Sequence, residues 1–232
     1  MNLDGVQAIT FDAAGTLMVP HPSVGEVYAE VLAAMGYSVD PSLLEQRFRA
    51  SFKAQKSTTP EAVLDRASWR KIVAGTLKDL TPSADFETQF DALWHTFAEP
   101  NRWRVLPGVE STLASLQRRG FRLFVLSNND SRLRRILVGL GLDQFFEAIF
   151  ISAELGVEKP SPRIFQLVEA NIGVPAASIL HVGDSPLEDI EGAQNAGWCT
   201  ALVGSKTKMP NRPTHLNCPV TISSLFEPID SD

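Results

Sequence analysis

Apolar positions change rhythm along the chain. Residues 6–11, VQAITF, form a short, mostly apolar run, the signature of a buried strand. The run ends at Asp12, and Gly15 allows a turn just beyond it. From residue 22 the period becomes helical. Ser23 and Glu26 have capping-box spacing ahead of Val24, Val27, Val31 and Met35, which share one face, and Gly36 can end that helix. Further helices are predicted over residues 43–54 and 61–80. A fourth starts near Pro82 and Ser83, carries Phe86, Phe90, Leu93 and Phe97 along one side, and stops at Pro100.

Beyond residue 100, helices and strands alternate. Helices are predicted at 109–119, 131–141, 161–171 and 190–197, and strands at 121–126, 148–152, 179–182 and 200–203. This alternation predicts a mainly parallel, Rossmann-like sheet flanked by helices. The expected fold class is α/β. A core of residues 1–18 and 101–232 is interrupted after its first strand by an α-helical insert, residues 19–100. Residues 204–222, rich in Pro, Lys, Thr and Asn, are expected to form surface loops around a short final strand.

Composition narrows the partners. With 232 residues, 44% of them hydrophobic, the chain can bury a substantial core. A formal charge of −6 gives no help to nucleic-acid binding. No apolar run approaches the roughly 18 residues of a membrane helix, and no basic region followed by a long apolar one marks a secretory signal. Cys199 and Cys218 form no close metal-binding pair and suit a reduced, cytoplasmic compartment. Nothing in the pattern requires more than a monomer, with a dimer left open.

An open α/β sheet binds ligands beyond the carboxyl ends of its strands. At those ends the sequence places Asp12, Gly15 and Thr16, then Ser127, Asn128 and Asn129, then Lys159 in GVEKPSP, then Gly183, Asp184 and Ser185, with Asp189 further on. Singly, each has a plainer reading: a turn or helix cap for Asp12 or Asp184, ordinary loop composition for Ser127 and Asn128, a solvated charge for Lys159. Brought to one rim they make a site. Two nearby carboxylates repel, and a divalent, oxygen-seeking cation such as Mg2+ is a reason to join Asp12 and Asp184. Lys159 can balance the remaining charge. Ser127, with backbone N–H groups near Gly15 and Asn128, can hold phosphoryl oxygens. Asp12 can then attack phosphorus, and water can cleave the aspartyl-phosphate. The expected substrate is a small phosphorylated metabolite.

Together FDAAGTL, VLSNND, the lysine of GVEKPSP and VGDSPLED resemble the haloacid dehalogenase-like (HAD) hydrolases over the whole chain. The helical insert is similar to the cap that this family places between its first and second motifs. FDAAGTL followed by HPSVGEVYAEV, with RASWRKIV in the insert, looks most like the REG-2-like branch. The resemblance implies that Asp12 is the nucleophile and that Asp12, Asp184 and the Ala14 backbone carbonyl bind Mg2+. It implies that Thr16, Ser127, Asn128 and Lys159 serve substrate phosphate, Thr16 by steadying its loop. Lys159 is the catalytic lysine, and Asp189 supports the metal site or that lysine. The cap would select the substrate.

Ala14 is the departure. Most phosphatases of this family carry an aspartate there, which protonates the leaving oxygen and then activates water. Such assistance is worth roughly 10²–10⁴-fold in rate. Slow phosphomonoester turnover is expected, with aryl and acyl phosphates suffering least. Other readings compete. 2-Haloacid dehalogenases also lack the second aspartate but typically carry tyrosine there and lack the GD pattern. Phosphonoacetaldehyde hydrolases have alanine there and use a cap lysine, for which Lys53 and Lys56 are candidates; with Arg47 and Arg49 they read more simply as a solvated basic face. A catalytically weak protein that binds a phosphorylated ligand or partner is a further alternative. Of the neighbouring residues, His21 is a candidate substitute acid–base and His95 a packing residue. Arg132, Arg134 and Arg135 read as helix-surface charges, one of which could reach a substrate anion. Trp69, Trp94 and Phe97 are expected to pack the cap helices and could line a pocket.

Overall fold

The computed structural model describes residues 3–58 and 63–203. Strand β1 (Ala8–Phe11) leads into a short β2 (Met18–Pro20) and then into four helices, α1 (Val24–Ala34), α2 (Pro41–Thr58), α3 (Arg66–Leu77) and α4 (Phe86–Thr96). The chain returns through β3 (Trp103–Val105). It continues as α5 (Val109–Arg118), β4 (Arg122–Ser127), α6 (Arg132–Gly139), β5 (Ala148–Ile151), the single turn α7 (Ser152–Leu155) and α8 (Pro162–Ile172). The last described elements are β6 (Ile179–Gly183), a π-helical turn at Pro186–Glu191 running into α9 (Gly192–Asn195), and β7 (Cys199–Leu202).

Five strands form one parallel sheet in the order β5-β4-β1-β6-β7. The fold is the α/β, Rossmann-like class expected from the alternation. Side chains on these strands divide with a period of two. Ile9, Phe11, Leu123 and Val125 pack on one face with Leu113 of α5 and Leu133 of α6. Ala8, Phe124 and Leu126 pack on the other with Ile164 and Phe165 of α8. Helices α1–α4 have an apolar cluster of their own, which includes Tyr28, Leu32, Leu44, Val73, Phe90 and Leu93.

The structure corrects several expected boundaries. Helix α2 begins at Pro41, because Asp40 Oδ1 accepts from the N–H groups of Ser42 (2.6 Å) and Leu43 (3.2 Å). Helix α3 begins at Arg66 rather than 61, because Asp65 caps it by accepting from Ser68 N–H at 2.8 Å. Residues 61 and 62 lie outside the described segments. The last helical stretch begins at Pro186, not 190, and Ser185 caps it by accepting from Glu188 N–H at 3.2 Å. The capping box at Ser23 and Glu26 is present as expected. The antiparallel ribbon of β2 and β3 was not visible in the pattern, since three residues are too few to show a period. That ribbon pairs the two chain segments that connect the sheet to the helical insert. The predicted final strand, the loops at 204–222 and Cys218 lie outside the described residues. No helix among the described residues is long and apolar enough to cross a membrane.

Candidate active site

Register brings the rim together. Phe11 is level with Val125 of β4 and Val182 of β6, so Asp12 begins the loop just past both neighbours. Its N–H donates to the Val182 carbonyl at 2.8 Å. The loop then closes on itself: the Ala13 carbonyl accepts from Leu17 N–H (2.8 Å) and Met18 N–H (3.1 Å), and Gly15 N–H donates to the Met18 carbonyl (2.8 Å). Gly15 has a φ of +95°, and a Cβ there would stand 2.5 Å from Asp184 Oδ2. Only glycine lets this loop turn left-handed while Asp184 approaches it.

Lys159 is 1% exposed, and each of its ammonium protons has an acceptor. Nζ donates to Asp12 Oδ1 at 3.0 Å, to Asp189 Oδ1 at 2.5 Å and to the Leu126 carbonyl at 2.9 Å. Asn128 sets the lysine's backbone with a pair of bonds: its Nδ2 donates to the Lys159 carbonyl and its Oδ1 accepts from Lys159 N–H, both at 2.8 Å. Asp189 is fixed in turn. Ser185 N–H donates to its Oδ2 at 2.9 Å, and His181 Nε2 lies 3.1 Å from its Oδ1. A Cβ on Gly183 would overlap the Asp189 carboxylate.

His181 is a site residue that the sequence reading missed. It is fully buried on β6, level with Thr10 of β1, whose Oγ1 lies 2.8 Å from His181 Nδ1. Burial lowers the His181 pKa even against the Asp189 bond, so the ring is neutral. A carboxylate only accepts, so Nε2 carries the proton and donates to Asp189, and Thr10 donates to Nδ1. The available signal was a polar residue inside an apolar strand, but one of its two partners, Thr10, is 171 positions away.

Charge shows what this cluster could hold. Burial alone would lower the Lys159 pKa; the charges of Asp12 and Asp189 overcome it and keep the lysine protonated. Burial would raise Asp189, but the Lys159 charge and the His181 bond hold it well below the usual carboxylate range. Asp12 is raised by burial, with Lys159 opposing and Asp189 adding to the rise. Asp184 is exposed as a residue, yet its carboxyl loses enough water beside Gly15 to be pushed up to about 6, with the charges of Asp12 and Asp189 contributing. Oxygens of Asp12, Asp184 and Asp189 all lie within 4.8 Å of one another. With all three ionised, these carboxylates facing one ammonium and a neutral imidazole would carry two surplus negative charges, the complement of one divalent cation. Both Asp189 oxygens are already bonded. Asp12 and Asp184 are thus the carboxylates left to hold a metal, and the Ala14 carbonyl, which accepts no hydrogen bond from described residues, is beside them.

The other expected residues divide clearly. Ser127 ends β4, and its hydroxyl makes no hydrogen bond to any described residue. Asn128 reaches the site, but its side chain holds Lys159 and is committed there. Thr16 is fully buried within the loop, and its hydroxyl has no hydrogen-bond partner among the described residues. His21 and His95 are exposed, and His21 does not line the cavity beside the Asp12 loop; exposure corrects the packing role expected for His95. Arg132 is not a surface charge: it donates to both oxygens of Asp130 (2.8 and 2.7 Å) and to the Trp94 carbonyl (3.2 Å). Arg134 and Arg135 do pair on the surface, with Glu154 and Glu99. Lys56 donates to Glu158 (2.7 Å) and ion-pairs with Glu188 (3.1 Å), an ammonium tied to two carboxylates rather than a free amine.

Comparison with known proteins identifies the family. The family model for haloacid dehalogenase-like hydrolases matches residues 6–197. Mouse haloacid dehalogenase-like hydrolase domain-containing protein 3 is 37% identical over 205 residues, covering 85% of this chain and 82% of that protein. The rhythmically expressed gene 2 protein of Drosophila melanogaster is 28% identical over 223 residues, covering 89% and 86%. Among solved structures, the magnesium-bound HAD-hydrolase YfnB of Bacillus subtilis shares the fold with a TM-score of 0.74 at 21% identity, covering 90% of each chain. The chain therefore belongs to the haloacid dehalogenase-like hydrolase family, in the branch of the rhythmically expressed gene 2 protein.

Proposed function

We propose that this protein is a Mg2+-dependent phosphatase that hydrolyses a small phosphorylated metabolite through an aspartyl-phosphate on Asp12. One observation carries the reading: Lys159 holds Asp12 Oδ1, while Asp12 Oδ2 has no hydrogen bond among the described residues and Asp184 stands across the loop. The acidic net charge of −6 supports a small-molecule substrate over nucleic acid. The helical insert, residues 19–100, acts as the cap over a core of residues 1–18 and 101–232, in a cytoplasmic monomer.

The residues divide the work as follows. Lys159 fixes the rotamer of Asp12 and offsets its charge, so Oδ2 is the attacking oxygen. The Ser127 hydroxyl is free to donate to a phosphoryl oxygen. Asp189, held by His181 and Ser185 N–H, anchors Lys159 and does not itself touch the substrate. Bound between Asp12, Asp184 and the Ala14 carbonyl, Mg2+ would neutralise the surplus negative charge and let a phosphate dianion approach.

Among the described residues, none that lines the cavity above Asp12 replaces the missing proton carrier. The residues lining the cavity above Asp12 include Ala14 and Arg132 but no histidine or carboxylate. This favours a second reading, in which phosphate binding survives and turnover is slow. Dehalogenation fits less well: a 2-haloacid would bring its carboxylate into this cavity, where the lining cation, Arg132, is already bound to Asp130. An assay of p-nitrophenyl phosphate and acetyl phosphate with and without Mg2+, in wild type and Asp12→Asn, tests the proposal. Metal-dependent release of phosphate, abolished by the substitution, is the expected result. Release that survives Asp12→Asn rules the nucleophile out.

A further inference from the structure

The cavity between the cap helices and the sheet rim measures about 350 Å³, within the range of small-molecule sites. Its floor is Ala14, Gly15 and Asn128, so it opens directly onto the Asp12 loop. Every cap residue in its wall is apolar or aromatic, among them Tyr28, Phe48, Phe52, Trp69, Trp94 and Phe97. These rings contact each other. Phe48–Phe52 and Phe52–Trp69 both have centroids 5.9 Å apart, and Tyr28–Phe97 are equally close.

Most polar groups in the same wall are already used. Arg132 is committed to Asp130 and stacks 3.5 Å from the Trp94 ring centroid. Asn128 is bonded to the Lys159 backbone, and Tyr28 is bonded to Thr76. Two donors are left over: the buried Trp69 indole N–H, which has no acceptor among the described residues, and the amide Nδ2 of Asn129, whose Oδ1 accepts from Asp130 N–H while Nδ2 bonds to no described residue. A sugar or amino-acid moiety would be stripped of water here with almost nothing in return. A flat ring would gain burial and ring–ring contact.

Ala14 belongs to the same wall and points to the same chemistry. A phenol-type leaving group, with a pKa of about 10, departs as an anion far more readily than an alkoxide, whose parent hydroxyl is nearer the roughly 16 of water. It needs no protonation, and none is on offer. We propose that this cavity takes the aromatic half of an aryl phosphate monoester, a substrate class that rests on the phosphoryl-transfer reading of Asp12. In the first step the bond from Asp12 Oδ2 to phosphorus forms as the aryl oxygen–phosphorus bond breaks. The aryl oxygen leaves with the bonding pair and takes a proton from water. Water then adds to phosphorus, the bond to Asp12 breaks, and the carboxylate and inorganic phosphate are released.

Calorimetric binding to the Asp12→Asn protein in Mg2+ tests the cavity, and turnover by wild type tests the chemistry separately. The probes are 1-naphthyl phosphate, 1-naphthol and glycerol 3-phosphate. The expected result is that 1-naphthyl phosphate binds roughly tenfold or more tighter than glycerol 3-phosphate. 1-Naphthol alone should also bind, and Phe52→Ala or Trp69→Ala should each weaken both naphthyl ligands by roughly tenfold. Equal or tighter binding of glycerol 3-phosphate overturns the cavity assignment, even if wild type hydrolyses acetyl phosphate. Naphthyl preference without any wild-type turnover upholds the cavity and defeats the phosphatase reading instead.

Discussion

Lys159 and Asp189 form a buried ion pair at 2.5 Å, and the same ammonium holds Asp12 at 3.0 Å. With every donor on Nζ in use, the lysine holds the Asp12 carboxylate in place. Replacing it by methionine would leave Asp12, Asp184 and Asp189 facing each other without a cation. The expected loss is roughly 3–5 kcal/mol of stability, as for other broken buried pairs, together with loss of activity. Chemical denaturation of Lys159→Met in the absence of metal measures this, and added Mg2+ should recover part of the loss.

Asp184 gives a pH signature. Its carboxyl rises from 3.8 to about 6 in the fold. An acid with a raised folded pKa does not penalise the fold below its unfolded value. The penalty builds as pH rises through the folded value and is complete above it. Without metal, Asp184→Asn should therefore match wild type near pH 4 and exceed it in thermal midpoint at pH 7. With Mg2+ at pH 7 the order should reverse, because only wild type keeps both metal carboxylates. A midpoint difference that is the same at both pH values without metal would speak against the crowded-carboxylate account.

Ala14 should show itself in the time course. With an aryl phosphate the first step needs no proton, but water must then attack the phospho-Asp12 unaided. Rapid mixing with p-nitrophenyl phosphate should give a burst of about one equivalent of nitrophenol and then a slow phase. Ala14→Asp should abolish the burst and raise steady turnover of alkyl phosphates by roughly 10²–10⁴-fold. A linear wild-type time course would show that the second step is not limiting.

Lys56 links the cap to the residues flanking the site. It bridges Glu158, beside Lys159, and Glu188, beside Asp189. Glu158 is buried, and burial raises its pKa with Lys56 opposing. Lys56→Met should cost roughly 1–3 kcal/mol, since it leaves Glu158 without its cation. The double variant Lys56→Met, Glu158→Gln should recover much of this. Thermal midpoints of the single and double variants measure the coupling.

Much of this site could be read from the chain, for a physical reason. Asp12, Ser127 and Asp184 end strands, and strand ends in a parallel sheet share a rim whatever the loops do. Lys159 and Asp189 were legible through their motifs. His181 and the Asn128 grip on Lys159 were not, because each depends on a partner brought close only by strand register or by a loop crossing. Arg132 was misjudged as a surface charge because its partners, Asp130 and Trp94, belong to different layers. Helix starts at Asp40 and Asp65 were missed because capping side chains are set by local backbone geometry, which apolar spacing does not report.

If Asp12 is the nucleophile, it carries the phosphoryl group during turnover. The most direct measurement is acid quench of wild type during turnover of p-nitrophenyl phosphate with Mg2+, followed by peptide mass spectrometry. A phosphoryl adduct on Asp12 that accumulates within the burst, and is absent from Asp12→Asn, is the expected result. Continued product release with no adduct, or an adduct on another residue, would contradict it.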